Sequence, residues 1–212
     1  MEINKGENKV VITTFILGLI GVLLFIIILG SFQKLLSNNE SGFLHLLMSL
    51  MFLCWLPIPL VIYMKMKNYD FLLVGTIFGM LSIIIYITTM LLQASHLSYS
   101  SKMQNSDLEL WENRDKWMMN GLLGGQVELM AGFLKGVWTI FLTICFWLNG
   151  QILFFILGII YSLLVFFYLS MLLDMSINKQ IPFLKKMKLN SIMINLDNTS
   201  WAAILLVWLL LS

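Results

Sequence analysis

The sequence predicts an all-α, polytopic transmembrane helix bundle, and three observations carry that prediction. Only 11% of the 212 residues are charged, against about 25% in an average soluble domain, which is too little charge to cover a water-facing surface. Hydrophobic residues make up 59% of the chain, and its mean hydropathy is +0.90. The apolar residues fall in long blocks without amphipathic alternation, which makes lipid the solvent. Residues 1–212 read as a single transmembrane domain, with no internal repeat or low-complexity tract.

Residues 10–29 form the first span, an apolar run about 30 Å long as a helix, which is the thickness of the hydrocarbon core. The run is too long for the apolar centre of a signal peptide. No A-x-A-like cleavage site follows in Gly30-Ser31-Phe32-Gln33-Lys34, so the span is expected to be retained. Residues 43–64 form the second span. Pro57 and Pro59 near its end each remove a backbone donor and disfavour helix before them, which predicts a kink. The third span, 71–92, is set off by the polar turn 65–70. The fourth and fifth, 127–148 and 152–173, are joined by Asn149-Gly150-Gln151, a link so short that the two must pack as an antiparallel hairpin.

The last apolar stretch, Trp201 to Leu211, covers only about 16 Å as a helix. A short sixth span over about 192–211 therefore requires an earlier start. That draws Asn195, Asp197 and Asn198 toward the membrane, a cost tolerable only at the interface or against other helices. Between the third and fourth spans, residues 106–120 place Leu108, Trp111, Met118 and Leu122 on one helical face and space Glu112 and Lys116 as an i,i+4 pair. The segment reads as an interfacial helix, or alternatively as a solvent-exposed extension of the fourth span.

Six spans put Lys34, Lys102, Arg114, Lys116, Lys179, Lys185, Lys186 and Lys188 on one side, with Lys5, Lys9, Lys65 and Lys67 on the other. The positive-inside rule makes the first group cytoplasmic and places both termini outside. A net charge of +2 with dispersed basic residues excludes a nucleic-acid partner. Cys54 and Cys145 stand in separate apolar blocks without CxxC spacing and read as small buried hydrophobes. No HExxH, paired-carboxylate, Cys/His or phosphate-binding glycine motif is present, so no metal and no cofactor is expected. His45 and His96, near span ends, read as hydrogen-bonded or solvated residues.

The fourth span holds the most informative pattern. Gly121, Gly125, Glu128, Gly132, Lys135, Gly136, Thr139 and Thr143 fall within about 100° of arc at helical periodicity. Small residues let helix backbones approach and polar ones need partners away from lipid, so this face should look into the bundle. The third span repeats the design with Gly75, Gly79, Ser82, Tyr86, Thr89 and Gln93, and the second does so more weakly through His45, Ser49 and Tyr63. In one reading these faces line a cavity whose ligand-binding residues are Glu128, Lys135, Tyr86, Gln93 and His45. In the other the glycines serve helix packing, Glu128 lies at the interface and the Lys135 ammonium snorkels to it along its own stem.

The order of features resembles a loosely defined family of small uncharacterised bacterial multi-pass membrane proteins, a domain of unknown function. The resemblance covers residues 40–175. It rests on the tryptophan-containing charged loop, the run Glu128-Leu129-Met130-Ala131-Gly132-Phe133-Leu134-Lys135-Gly136-Val137-Trp138, the Asn-Gly hairpin and Leu157-Gly158-Ile159-Ile160. It implies a bacterial plasma membrane and no known enzyme activity, and it supplies no ligand or partner.

The leading expectation is a non-enzymatic membrane protein. It would bind a small or lipid-like ligand through the polar faces of spans two, three and four, or pack those faces against a membrane partner or a second copy. The alternative is a small transporter or channel using Glu128 and Lys135 in a water-accessible path, although one proline break without a counterpart falls short of an inverted-repeat signature. The third class, an intramembrane enzyme, would need Glu128, His45, Tyr86 and Lys135 to meet in space.

Overall fold

Each apolar run folds as a helix, and the breaks fall where proline, glycine or polar residues interrupt it. A computed structural model describes residues 5–103, 107–177 and 191–212. The helices are α1 (Lys5–Ser37), α2 (Ser41–Trp55), α3 (Ile58–Lys65), α4 (Phe71–Met103), α5 (Leu108–Trp117), α6 (Gln126–Leu148), α7 (Ile152–Ser176) and α8 (Ser191–Leu211), with a π-helical turn at Met118–Leu122. Among the described residues, six stretches are long and apolar enough to cross a membrane: Asn8–Ser37, Ser41–Lys65, Phe71–Met103, Gln126–Leu148, Ile152–Ser176 and Met193–Leu211. The sixth span begins early enough to do so, which carries Asn195, Asp197 and Asn198 into it.

The predicted kink is a break. Leu56 N donates to Leu53 O at 3.2 Å, closing α2 with a tight turn, and α3 resumes from Pro57. Pro57 and Pro59 have no N–H to continue the ladder across this point. The break turns the Trp55 indole toward α1, where its Nε1 donates to Gly18 O at 3.2 Å. Gly21 lies under the same ring and Gly18 under Leu206 of α8, so α1 uses its own glycines to approach both neighbours.

α1 packs on α2, α2 on α4, α4 on α6 and α6 on α7, while α8 returns to α1 and α3. α8 also reaches α7, where Tyr161 OH donates to Ser200 Oγ at 2.6 Å and stacks near Trp201. The spans thus close a ring. Its interior holds the fully buried Phe52, Tyr86, Leu129, Phe146 and Trp201. Ile16, Leu23 and Ile27 of α1 and Ile160, Leu163 and Phe166 of α7 are exposed, as lipid-facing residues must be, so the bundle's outer wall contacts the bilayer.

Within the 106–120 segment, the described residues Leu108–Trp117 form α5, a helix separate from α6. Asp107 caps α5 by accepting from Leu110 N at 3.1 Å, and Gly125 (φ 54°) breaks the chain before α6. Of the four residues expected to share one face, Trp111 is buried and Met118 half-buried, whereas Leu108 and Leu122 are exposed. α5 is tied to α4 through His96, whose Nε2 lies 2.9 Å from Asp115 Oδ1, and through Ser100, which donates to Asp115 Oδ2 at 2.7 Å. His96 is therefore paired rather than merely solvated. Of the basic loop residues, Lys179, Lys185, Lys186 and Lys188 lie outside the described residues.

Candidate functional site

The inward faces of α4 and α6 do bury their small and polar residues. On α4 these are Gly75, Gly79, Ser82, Tyr86, Thr89 and Gln93; on α6 they are Gly132, Lys135, Gly136, Thr139 and Thr143, with Glu128 half-buried. A Cβ on Gly75 would come 2.6 Å from Phe141, and one on Gly79 would come 2.6 Å from the Trp138 ring. Gly132 and Gly136 lie equally close under Tyr168 and Val165 of α7. Two expected packing glycines behave otherwise. Gly121 faces open space and Gly125 precedes α6 in a left-handed conformation, so the stripe starts later than its periodicity suggested.

The five candidate site residues divide between two places. Lys135 and Tyr86 lie at the bundle's centre. The Lys135 ammonium forms an ion pair with Asp197 Oδ2 of α8, and the Tyr168 hydroxyl of α7 donates to the same oxygen. The Lys135 and Asp197 side chains are 7% and 10% exposed. The Lys135 stem therefore does not run to the membrane surface, which overturns the snorkelling alternative. Its charge is met inside the bundle, where an unpaired ion would be costly. The cavity beside it, walled by Tyr86, Trp138, Asn198 and Trp201, measures 30 Å³ and has room for about one water molecule.

Glu128, Gln93 and His45 line a different cavity. It measures 410 Å³ and lies at the end where α1 and α4 finish and α2, α6 and α8 begin, the end that carries Lys34, Lys102, Arg114 and Lys116. Its apolar lining includes Phe25, Ile28 and Leu29 of α1 with Leu44, Met48 and Met90. Its polar lining is Gln33, His45, Gln93, Glu128 and Asn195, which arrive from five helices. Gln93, 1% exposed, donates through Nε2 to Leu123 O at 2.6 Å and to Glu128 Oε1 at 2.8 Å. This ties α4 to the start of α6 and fixes the carboxylate. His45 Nδ1 lies 2.8 Å from Ser41 O and must donate to it, since a carbonyl carries no proton.

The four residues of the possible catalytic constellation are thus split, His45 and Glu128 in one cavity and Tyr86 and Lys135 by the other. Among the described residues no three of His, Cys, Asp and Glu gather as metal ligands would. The sequence reading missed Asp197 and Tyr168 at the centre and Gln33 and Asn195 in the end cavity. Asp197 had a signal. Within the spans as read from the sequence, 10–29, 43–64, 71–92, 127–148, 152–173 and 192–211, Glu128, Lys135 and Asp197 are the charged residues, and an ammonium in lipid needs a carboxylate. No family model matches the chain, and no curated protein or solved structure matches it.

Proposed function

We propose that this multi-pass integral membrane protein, placed in a bacterial plasma membrane by its sequence resemblance, binds a small amphiphilic ligand in the end cavity without converting it. The observation that carries this reading is the cavity itself. Its 410 Å³ falls within the range of about 300–1,000 Å³ usual for small-molecule sites, and apolar walls with a few convergent polar groups are what such sites use. The polar side chains lie toward the end of the bundle where α2, α6 and α8 begin. The apolar lining on α1 inward of Gln33 runs from Phe25 to Phe32, about 10 Å of helix, which suits the start of an acyl or alkyl tail.

The test is to fill the cavity. Met48→Trp and Met90→Trp replace flexible, buried side chains on its apolar wall with larger rings. Both variants, purified into phospholipid nanodiscs, are expected to retain far less radiolabelled dodecyl amphiphile than the unmodified protein. Equal retention by inserted, folded variants would sink the reading.

A transport reading has one observation in its favour. Glu128 and Lys135 stand two turns apart on α6, and Asn195 and Asn198 one turn apart on α8, so polar groups continue from the end cavity toward the centre. Passage would require the Lys135–Asp197 pair to part. Lys135→Met combined with Asp197→Leu should then abolish uptake into proteoliposomes while leaving ligand retention intact.

A further inference from the structure

We infer that the head group taken by the end cavity is a cation that carries N–H donors, of which a primary alkylammonium is the simplest. The inference rests on the reading of that cavity as an amphiphile site and specifies its ligand class. It follows from counting which hydrogen-bonding atoms the protein leaves unused.

Both acceptors bonded to Gln93 Nε2 are oxygens, one of them a backbone carbonyl. The amide can therefore be oriented only one way, and both its N–H groups are spent. Its Oε1 is left as an acceptor. Glu128 commits Oε1 to Gln93, and among the described residues nothing bonds its second oxygen. His45 spends its Nδ1 proton on Ser41 O, so the neutral ring keeps Nε2 as an acceptor. Three of the five polar side chains that line the cavity thus offer acceptors and no donors. Gln33 and Asn195 can serve in either sense.

Charge points the same way. Glu128 is the single charged residue among those lining the cavity, which include no Lys or Arg. A phosphate or carboxylate head group would meet three acceptors, one of them itself a carboxylate. A neutral, hydroxylated head could satisfy the acceptors but would leave the Glu128 charge unbalanced in a mostly apolar site. An ammonium supplies both the countercharge and three donors, in keeping with the greater strength of charge-assisted bonds.

The experiment compares probes that share a tail. Radiolabelled dodecylamine, dodecyltrimethylammonium and dodecanoate are offered to the full-length protein in phosphatidylcholine nanodiscs, and retention is counted above that of empty nanodiscs. Dodecylamine is expected to be retained about tenfold more than either of the others, and Glu128→Gln to remove that advantage, since a hydrogen bond to a charged group is worth about one decade or more in affinity. Equal retention of the quaternary ammonium, which has no N–H, would overturn the donor requirement. Preferred dodecanoate would overturn the cationic ligand while leaving an amphiphile site in place. Dodecylamine retention unchanged by Glu128→Gln would likewise overturn it, because the carboxylate would play no part. Failure of all three probes to exceed empty nanodiscs would overturn the inference and the underlying reading together.

Discussion

The two polar regions of this bundle are built from the same kinds of residue and differ in what surrounds them. At the centre, Lys135 meets Asp197 and Tyr168 beside a cavity of 30 Å³. At the end, Glu128 is steadied among the described residues by Gln93, beside a cavity of 410 Å³. The central ion has its counterion within the chain and ties α6 and α7 to α8, although the second oxygen of Asp197, Oδ1, is buried with no hydrogen-bond partner among the described residues. The end carboxylate has a neutral partner and open space. An intramembrane charge is a functional signal only when the protein leaves it uncompensated, and here that singles out Glu128 rather than Lys135.

The largest effect should come from breaking the central pair on one side. Lys135→Met leaves Asp197 buried with the Tyr168 hydroxyl as its partner, and removing one member of a buried pair costs about 3–5 kcal/mol. Thermal unfolding in detergent should show that loss. Lys135→Met combined with Asp197→Leu should recover most of it, since a matched apolar pair carries no stranded charge. If the single variant unfolds with the unmodified protein, the centre is wet and the contrast between the two regions disappears.

A smaller loss is expected where α6 meets α7. Gly132→Leu drives a side chain into the Tyr168 ring, which already donates to Asp197, and overpacking of this kind costs about 1–3 kcal/mol. Gly121→Leu, at a position that faces open space, should leave the melting temperature unchanged. Equal sensitivity at the two sites would mean that the glycine stripe begins where its periodicity placed it.

The fold was legible because lipid imposes a length and a composition on each span, and Pro57, Asn149 and Gly150 punctuate the runs plainly. The tertiary pairings were not. Lys135 and Asp197 are 62 residues apart, and Gln93 and Glu128 are 35 apart, so no local motif links them. The snorkelling alternative considers Lys135 on its own helix and leaves out the Asp197 carboxylate that the sixth span brings alongside. Gly121 and Gly125 were assigned to packing because periodicity continues smoothly across a helix start that only the positive φ of Gly125 reveals. The polar faces of α4 and α6 were readable, but which of their residues shared a cavity depended on α1 and α8, whose contributions Gln33 and Asn195 no local motif links to those faces.

A small effect on stability, and the sharpest on function, is expected at Glu128. In Glu128→Gln the new amide oxygen can still accept from Gln93 Nε2, so the tie between α4 and α6 survives and the cost should be about 1 kcal/mol or less. Ligand retention should nevertheless collapse, which separates a binding carboxylate from a structural one. Water access gives an independent check. In a Cys54→Ala, Cys145→Ala background, Glu128→Cys should react with a membrane-impermeant maleimide, whereas Thr139→Cys, three turns deeper on α6 and fully buried in the native chain, should not. Rapid labelling at both positions would join the two regions into one aqueous path and favour transport. Labelling at Glu128→Cys alone is what a binding cavity stopped by a dry ion pair requires.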